Sequence, residues 1–234
     1  MTNPVSARIT EIFSSFQGEG PLTGERHIFI RFESCHMACV YCDESGKKGR
    51  SMSLQQVLRK IKELEKKHGP HSCVSLTGGE PLLYPDFLRK LCPALKKMKL
   101  RVLLETSGVL WRNLSKVLPC CDIISMDLKL SSVTGQNGFL KEHEAFLKIA
   151  KRKGLYIKIV VSNDLDRREY DAHVRMVAKE TPWAPVFLQA AARGRRVCPD
   201  KRLWRLMEDL RRRGAGRLPG LRIGIQLHKL LNIT

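Results

Sequence analysis

Short apolar runs alternate with amphipathic stretches along almost the whole chain. Ile28, Phe29, Ile30 and Phe32 form a run that reads as a strand. Leu54, Val57, Leu58, Ile61 and Leu64 then recur at helical spacing. Ser53, with Gln56 three places on, supplies a capping box for that helix, and Gly69-Pro70 ends it. A short strand over 73–76 leads into the turn Thr77-Gly-Gly-Glu-Pro81. A helix is expected from about Pro85, kinked or shortened by Pro93. The alternation continues with strands over 102–104, 122–127, 156–161, 186–188 and 221–225. Between them the pattern predicts helices from about Leu110 and over 139–153, 167–179 and 200–213.

Strands that alternate with helices imply an α/β chain with a parallel sheet covered by helices. The number of repeats fits an incomplete, open (β/α) barrel of about six units, although alternation alone also describes a doubly wound sheet. The polar residues decide between them. Cys35, Thr77, Glu105, Asp127, Lys158 and Gln189 fall at or just beyond strand ends, or inside strands where they can face a barrel interior. A barrel gathers such positions at one mouth. No linker or repeat interrupts the chain, which predicts one domain over 1–234.

Composition narrows the class. A hydrophobic content of 43% and a charged content of 28% are ordinary for a globular protein. No stretch approaches membrane-spanning length and residues 1–10 lack the apolar core of a signal peptide, so a cytoplasmic protein with no membrane partner is expected. Eight cysteines in a reducing compartment argue for metal or catalysis rather than disulfides. Cys73 and Cys92 read as core, and Cys120, Cys121 and Cys198 receive no role. The formal charge of +19 would attract anionic partners. Its Lys and Arg groups carry no interleaved aromatic residues, so direct nucleic-acid binding is not supported.

The chemistry concentrates at Cys35, Cys39 and Cys42, spaced C-x3-C-x2-C directly after a strand. Three thiolates can hold one face of a [4Fe–4S] cube and leave one iron open. A zinc knuckle using His36, or three unrelated buried thiols, fits the spacing as well. Upstream, glycines bracket Glu19 in Gln17-Gly-Glu-Gly20, which offers polar groups beside a tight turn.

The cysteine triplet followed by a strand and Thr77-Gly-Gly-Glu-Pro81 resembles the radical S-adenosylmethionine (SAM) superfamily. Within it the chain is similar to the 7-carboxy-7-deazaguanine synthase family. The similarity is carried by 11–20, Arg31, 39–43, 77–81, 105–108, 125–129, 187–189 and 226–233. It implies that Cys35, Cys39 and Cys42 bind a [4Fe–4S] cluster whose open iron takes SAM. Gly78 and Gly79 would let the backbone approach the methionine part, and Glu80 would receive its ammonium. Ser125, Asp127, Lys129 and Gln189 would hold the rest, with Glu105 and Ser107 close by. The substrate would lie against Phe16, Gln17, Gly18, Glu19, Thr77, His228 and Thr234, its carboxylate facing Arg31. The implied reaction converts 6-carboxy-5,6,7,8-tetrahydropterin to 7-carboxy-7-deazaguanine with loss of ammonia. SAM would act as a regenerated cofactor and a flavodoxin or ferredoxin as reductant. The resemblance also implies a homodimer, a Mg2+ ion, and a pocket closed by 221–234 beside a cluster loop over 33–50.

Some positions depart from the family pattern. Glu44 stands where a threonine usually meets the magnesium, Ser107 replaces asparagine, and His36-Met37 replaces Asn-Leu. These departures leave room for a relative acting on a modified pterin. A glycyl-radical activase would share the cysteines and the glycine turn without needing Gln17-Gly-Glu-Gly20 or the His228 region. A basic iron–sulfur RNA-binding protein would bind RNA without cleaving SAM.

Overall fold

The computed structural model describes residues 5–191 and 200–231; Cys198 and Thr234 lie outside them. In chain order the strands are β1 (Ser6–Phe16), β2 (Arg26–Phe32), β3 (Arg50–Ser53), β4 (Cys73–Gly78), β5 (Arg101–Thr106), β6 (Ile123–Leu128), β7 (Gly154–Val161), β8 (Val186–Ala190) and β9 (Leu221–Ile223). The helices are α1 (Leu54–His68), α2 (Pro85–Lys97), α3 (Trp111–Val117), α4 (Ser131–Thr134), α5 (Leu140–Ala150), α6 (Arg167–Glu180), α7 (Lys201–Ala215) and α8 (Leu227–Leu230).

All nine strands form one sheet in the order β3-β1-β2-β4-β5-β6-β7-β8-β9. From β2 to β9 every neighbouring pair is parallel. β1 runs antiparallel to both β2 and β3. β3 and β9 are the two edges, so the sheet is open, as the alternation predicted. Parallel strands end on one side, and the loops that follow them share one mouth.

Burial explains why the apolar runs were legible. Val74, Leu76, Ile124, Met126, Ile157, Ile159, Val186 and Leu188 on one face, and Cys73, Ser75, Leu103, Tyr156 and Phe187 on the other, are buried, as befits strands covered on both faces. Ser53 caps α1 as expected: its hydroxyl accepts from the Gln56 backbone N–H, while the Gln56 side chain accepts from the Ser53 N–H. Pro93 does not shorten α2, which continues through it to Lys97. Leu88, Leu91, Cys92 and Leu95 are buried on either side of the proline, and that packing offsets the missing hydrogen bond. β1, β3 and the short α4 and α8 were not foreseen.

Candidate active site

The loop carrying the three cysteines leaves the end of β2 and is fastened there by the glycine turn that follows β4. Gly79 N–H donates to Phe32 O at 2.7 Å, and Glu80 N–H donates to Ser34 O at 2.7 Å. A β-carbon on Gly79 would stand 2.1 Å from Ser34 O, and one on Gly78, at φ +100°, would stand 2.5 Å from Phe32 N. Glycine is therefore required where the turn meets the start of the cysteine loop. Cys35 and Cys42 are exposed and Cys39 is half-buried. Among the described residues no three His, Cys, Asp or Glu side chains are gathered closely enough to hold a single metal ion. A cube presents separate irons to separate thiolates, so a donor set of three soft thiols on one exposed loop fits a cluster in its chemistry.

Glu80 follows the two glycines of that turn. It has no exposed surface, and its carboxylate accepts from Leu82 N–H, Thr106 Oγ1, Ser107 N–H and Ser107 Oγ. These bonds tie the β4 turn to the end of β5. In this arrangement the carboxylate expected to receive the SAM ammonium is held by four groups of the protein. Ser107 is drawn into the same knot. Its carbonyl lies 3.2 Å from His143 Nε2, which is also 3.4 Å from the Lys129 N–H. His143 is fully buried, and burial lowers its pKa to about 3, so the ring is neutral.

The interior of the mouth holds a dense set of charges. Lys158 on β7 places its Nζ 2.7 Å from Glu19 Oε2 and 3.2 Å from Asp127 Oδ1. Asp127 also pairs with Lys129 at 3.0 Å. Burial alone would raise the pKa of Glu19, but the Lys158 ammonium and the hydrogen bonds from Gln226 and Lys158 bring it down to about 2. Glu105 on β5 shifts the other way: burial raises its pKa despite the Lys158 charge, and Glu19 adds to the rise. Its oxygens accept from Gln17 Nε2 at 3.0 Å and from Thr77 Oγ1 at 3.1 Å. Glu105 thus sits with residues expected to face substrate, whereas it was expected beside SAM.

The chain's C-terminal part packs over this set. Leu227 N–H donates to Gly18 O at 2.9 Å, and Gln226 Nε2 donates to Glu19 Oε1 at 2.7 Å. A β-carbon on Gly18 would fall 2.2 Å from His228 Nδ1, so a side chain there would push the histidine away. Lys229 reaches Asp43 in the cysteine loop at 3.0 Å.

Other expected residues stand apart. Arg31 is engaged by Glu44 and by Glu11, and its guanidinium lies over the Phe13 ring. Lys47 adds a second cation to Glu44 at 2.9 Å. Phe16 is 39% exposed and lies beneath the Arg26 guanidinium rather than inside the mouth. Ser125 and Gln189 are buried on β6 and β8. Thr234 lies outside the described residues. Gln226 and His143 were given no site role from the sequence; Lys158 was placed at the mouth, as a lone lysine in an apolar strand, without a role there.

Comparison with known proteins agrees with this geometry. A model of the radical SAM superfamily matches residues 29–177. A 7-carboxy-7-deazaguanine synthase from Geobacter sulfurreducens is 35% identical over 213 residues, covering 82% of this chain and 84% of the relative. The enzyme of the same name from Rickettsia prowazekii is 30% identical over 228 residues, covering 96% and 88%. Among solved structures, QueE from Escherichia coli superposes with a TM-score of 0.65 at 21% identity over 95% of both chains. TYW1 with a lysine–pyruvate adduct reaches 0.60 at 16% identity, covering 83% of this chain and 74% of that one. The fold, the motif order and these relatives together assign the chain to the radical SAM superfamily and, within it, to the 7-carboxy-7-deazaguanine synthase family.

Proposed function

We propose that the chain converts 6-carboxy-5,6,7,8-tetrahydropterin to 7-carboxy-7-deazaguanine with release of ammonia. The observation that carries this reading is the single hydrogen-bonded array running from Gln17 and Glu19 through Glu105, Thr77 and Lys158 to Asp127. It joins the residues expected to face a polar heterocycle to those expected to face a nucleotide, beside the cysteine loop.

When bound, a [4Fe–4S] cluster on Cys35, Cys39 and Cys42 together with SAM supplies the one-electron chemistry. The chain's own residues bind, orient and exclude water. Gln226 supports this role, since its Oε1 is buried without a hydrogen-bond partner among the described residues. Such acceptors suit hydroxyl or ring N–H donors of ligands. Ser125, Lys129 and Gln189 complete the SAM side in this reading. Gly78 and Gly79 shape the backbone there, while Glu80 and Ser107 brace it. Gln17, Gly18, Glu19, Thr77 and His228 form the substrate side, with Glu105 between the two. The contacts of 226–229 with Gly18, Glu19 and Asp43 support a pocket closed by the C-terminal part of one domain. Phe16 and Arg31 must turn inward to take part.

Magnesium at Glu44 has less support, because the carboxylate already holds Arg31 and Lys47. No helix among the described residues is long and apolar enough to cross a membrane, in keeping with a cytoplasmic enzyme. Exposed Lys47 and Lys48 beside the cysteines would suit docking of an acidic flavodoxin or ferredoxin. A homodimer is carried over from the resemblance alone. The test is anaerobic turnover with SAM, a reductant and the carboxypterin. The reading requires 7-carboxy-7-deazaguanine and ammonia; SAM cleavage without either product refutes it.

A further inference from the structure

The cysteine loop is gripped at its middle as well as at its start. Between Cys35 and Cys39, Ala38 has both of its backbone groups engaged by one side chain. Ala38 N–H donates to Gln136 Oε1 at 3.4 Å, and Gln136 Nε2 donates to Ala38 O at 3.2 Å. Immediately after Cys39, Val40 N–H donates to Thr134 O at 3.2 Å. A primary amide that accepts from and donates to one residue imitates the reciprocal pairing of a strand neighbour. It fixes both dihedrals flanking that residue.

Gln136 is itself held. α4 lies just upstream, and Glu169 of α6 accepts from Ser131 N–H at 2.5 Å, Ser131 Oγ at 2.8 Å, Ser132 N–H at 3.0 Å and Ser132 Oγ at 2.7 Å. Asp166 N–H donates to Ser132 Oγ at 3.0 Å. Thr134 is fully buried; its Oγ1 donates to Leu130 O at 2.9 Å and accepts from Gln136 N–H at 3.2 Å. A continuous strap therefore runs from α6 through α4 and Gln136 to the peptide groups on either side of Cys39. None of its side chains is one of the expected cluster, SAM or substrate contacts.

We infer that Gln136 is a positioning residue for the iron–sulfur cluster: its amide clamps Ala38, so that Cys39 is presented in ligating register before the cluster arrives and is kept there afterwards. Ordering a loop costs conformational entropy at every residue fixed. An exposed loop of three thiols without the clamp would sample many arrangements in which Cys39 faces away from the other two. A thiolate that detaches from iron would then recapture it less often. The clamp acts on retention of the cluster rather than on the stability of the sheet, because Gln136 and Ala38 contribute no side chain to the buried core.

The inference rests on Cys35, Cys39 and Cys42 being cluster ligands. The experiment compares anaerobically reconstituted wild-type chain with Gln136→Ala and Gln136→Glu. It measures iron per chain, the rate at which cluster absorbance decays under an iron chelator without SAM, and the thermal midpoint of the cluster-free chains. Gln136→Ala should lose its cluster about 5- to 30-fold faster, the factor matching one to two neutral hydrogen bonds. Gln136→Glu should behave similarly, because a carboxylate keeps the contact to Ala38 N–H and repels Ala38 O. Both midpoints should stay at the wild-type value. Equal decay rates in wild type and Gln136→Ala would overturn the clamp alone. Faster decay that merely tracks a lowered midpoint would also overturn it. A wild-type chain that takes up no iron would overturn the cysteine assignment and the clamp with it.

Discussion

Replacing Lys158 with methionine keeps the length of the side chain and deletes the charge that Glu19 and Asp127 share. In the wild-type chain Glu19 has a pKa of about 2, against an ordinary value of 4.5. A depressed carboxyl contributes stability that is complete above the unfolded value and is lost as the pH falls from 4.5 towards 2. Taken at face value the shift is worth about 3 kcal/mol, at about 1.4 kcal/mol per pH unit. Breaking a buried pair typically costs about 3–5 kcal/mol, because the remaining charge stays buried. Gln226 still donates to Glu19, so we expect a loss of about 2–4 kcal/mol near pH 7. For a chain of this size each kcal/mol moves the midpoint by roughly 2–4 °C. In the variant burial dominates and raises the Glu19 pKa, so protonation relieves the unpaired charge and the deficit narrows as the pH falls through the carboxylate range. The assay is urea unfolding of the cluster-free chain at several pH values between 7 and 4. A loss below about 0.5 kcal/mol, or one that does not change with pH, would refute the buried ion pair.

Other substitutions test separate parts of the site. Gly79→Ala forces a methyl group against Ser34 O, so it should destabilise the chain by at least about 1–3 kcal/mol and lower iron uptake on reconstitution, read by unfolding and iron analysis. Glu80→Gln puts a donor where the carboxylate oxygens accept from Thr106 and Ser107; a loss of about 1–3 kcal/mol is expected, and an unchanged urea midpoint would show that the knot is not formed. If Arg31 turns inward to grip the substrate carboxylate as proposed, Arg31→Lys should lower kcat/KM for the carboxypterin roughly 10- to 150-fold while cluster content stays normal, the factor expected of a charge-assisted hydrogen bond.

Much of the architecture was legible because buried parallel strands are continuous apolar runs and their helices carry an apolar stripe. Val102 to Leu104 and Leu54 to Leu64 are such segments, and both were placed within a few residues. β3 was not legible: Arg50, Ser51 and Ser53 are polar, and the strand exists because its backbone pairs with β1. That α2 runs past Pro93 was not legible, because local sequence carries no record of the core that holds both halves of the helix. At the site, residue types and their order pointed to the chemistry, but pairing did not follow from either. Glu80 was expected to receive the SAM ammonium; that it also braces β4 against β5 shows only in the positions of Thr106 and Ser107. Glu105 lay in a motif expected to face SAM, and the parallel register brings it to Thr77 and Gln17 instead. Lys158 gains its importance from neighbours distant in sequence: Glu19 lies 139 positions away.

The central claim is that the polar array beside the cysteine loop rearranges a carboxypterin. The most direct measurement is mass spectrometry of an anaerobic reaction containing the reconstituted chain, SAM, a low-potential reductant and 6-carboxy-5,6,7,8-tetrahydropterin. 7-Carboxy-7-deazaguanine should form with one equivalent of ammonia, in excess of the SAM consumed. Cluster-loaded protein that consumes SAM and leaves the pterin intact would contradict it.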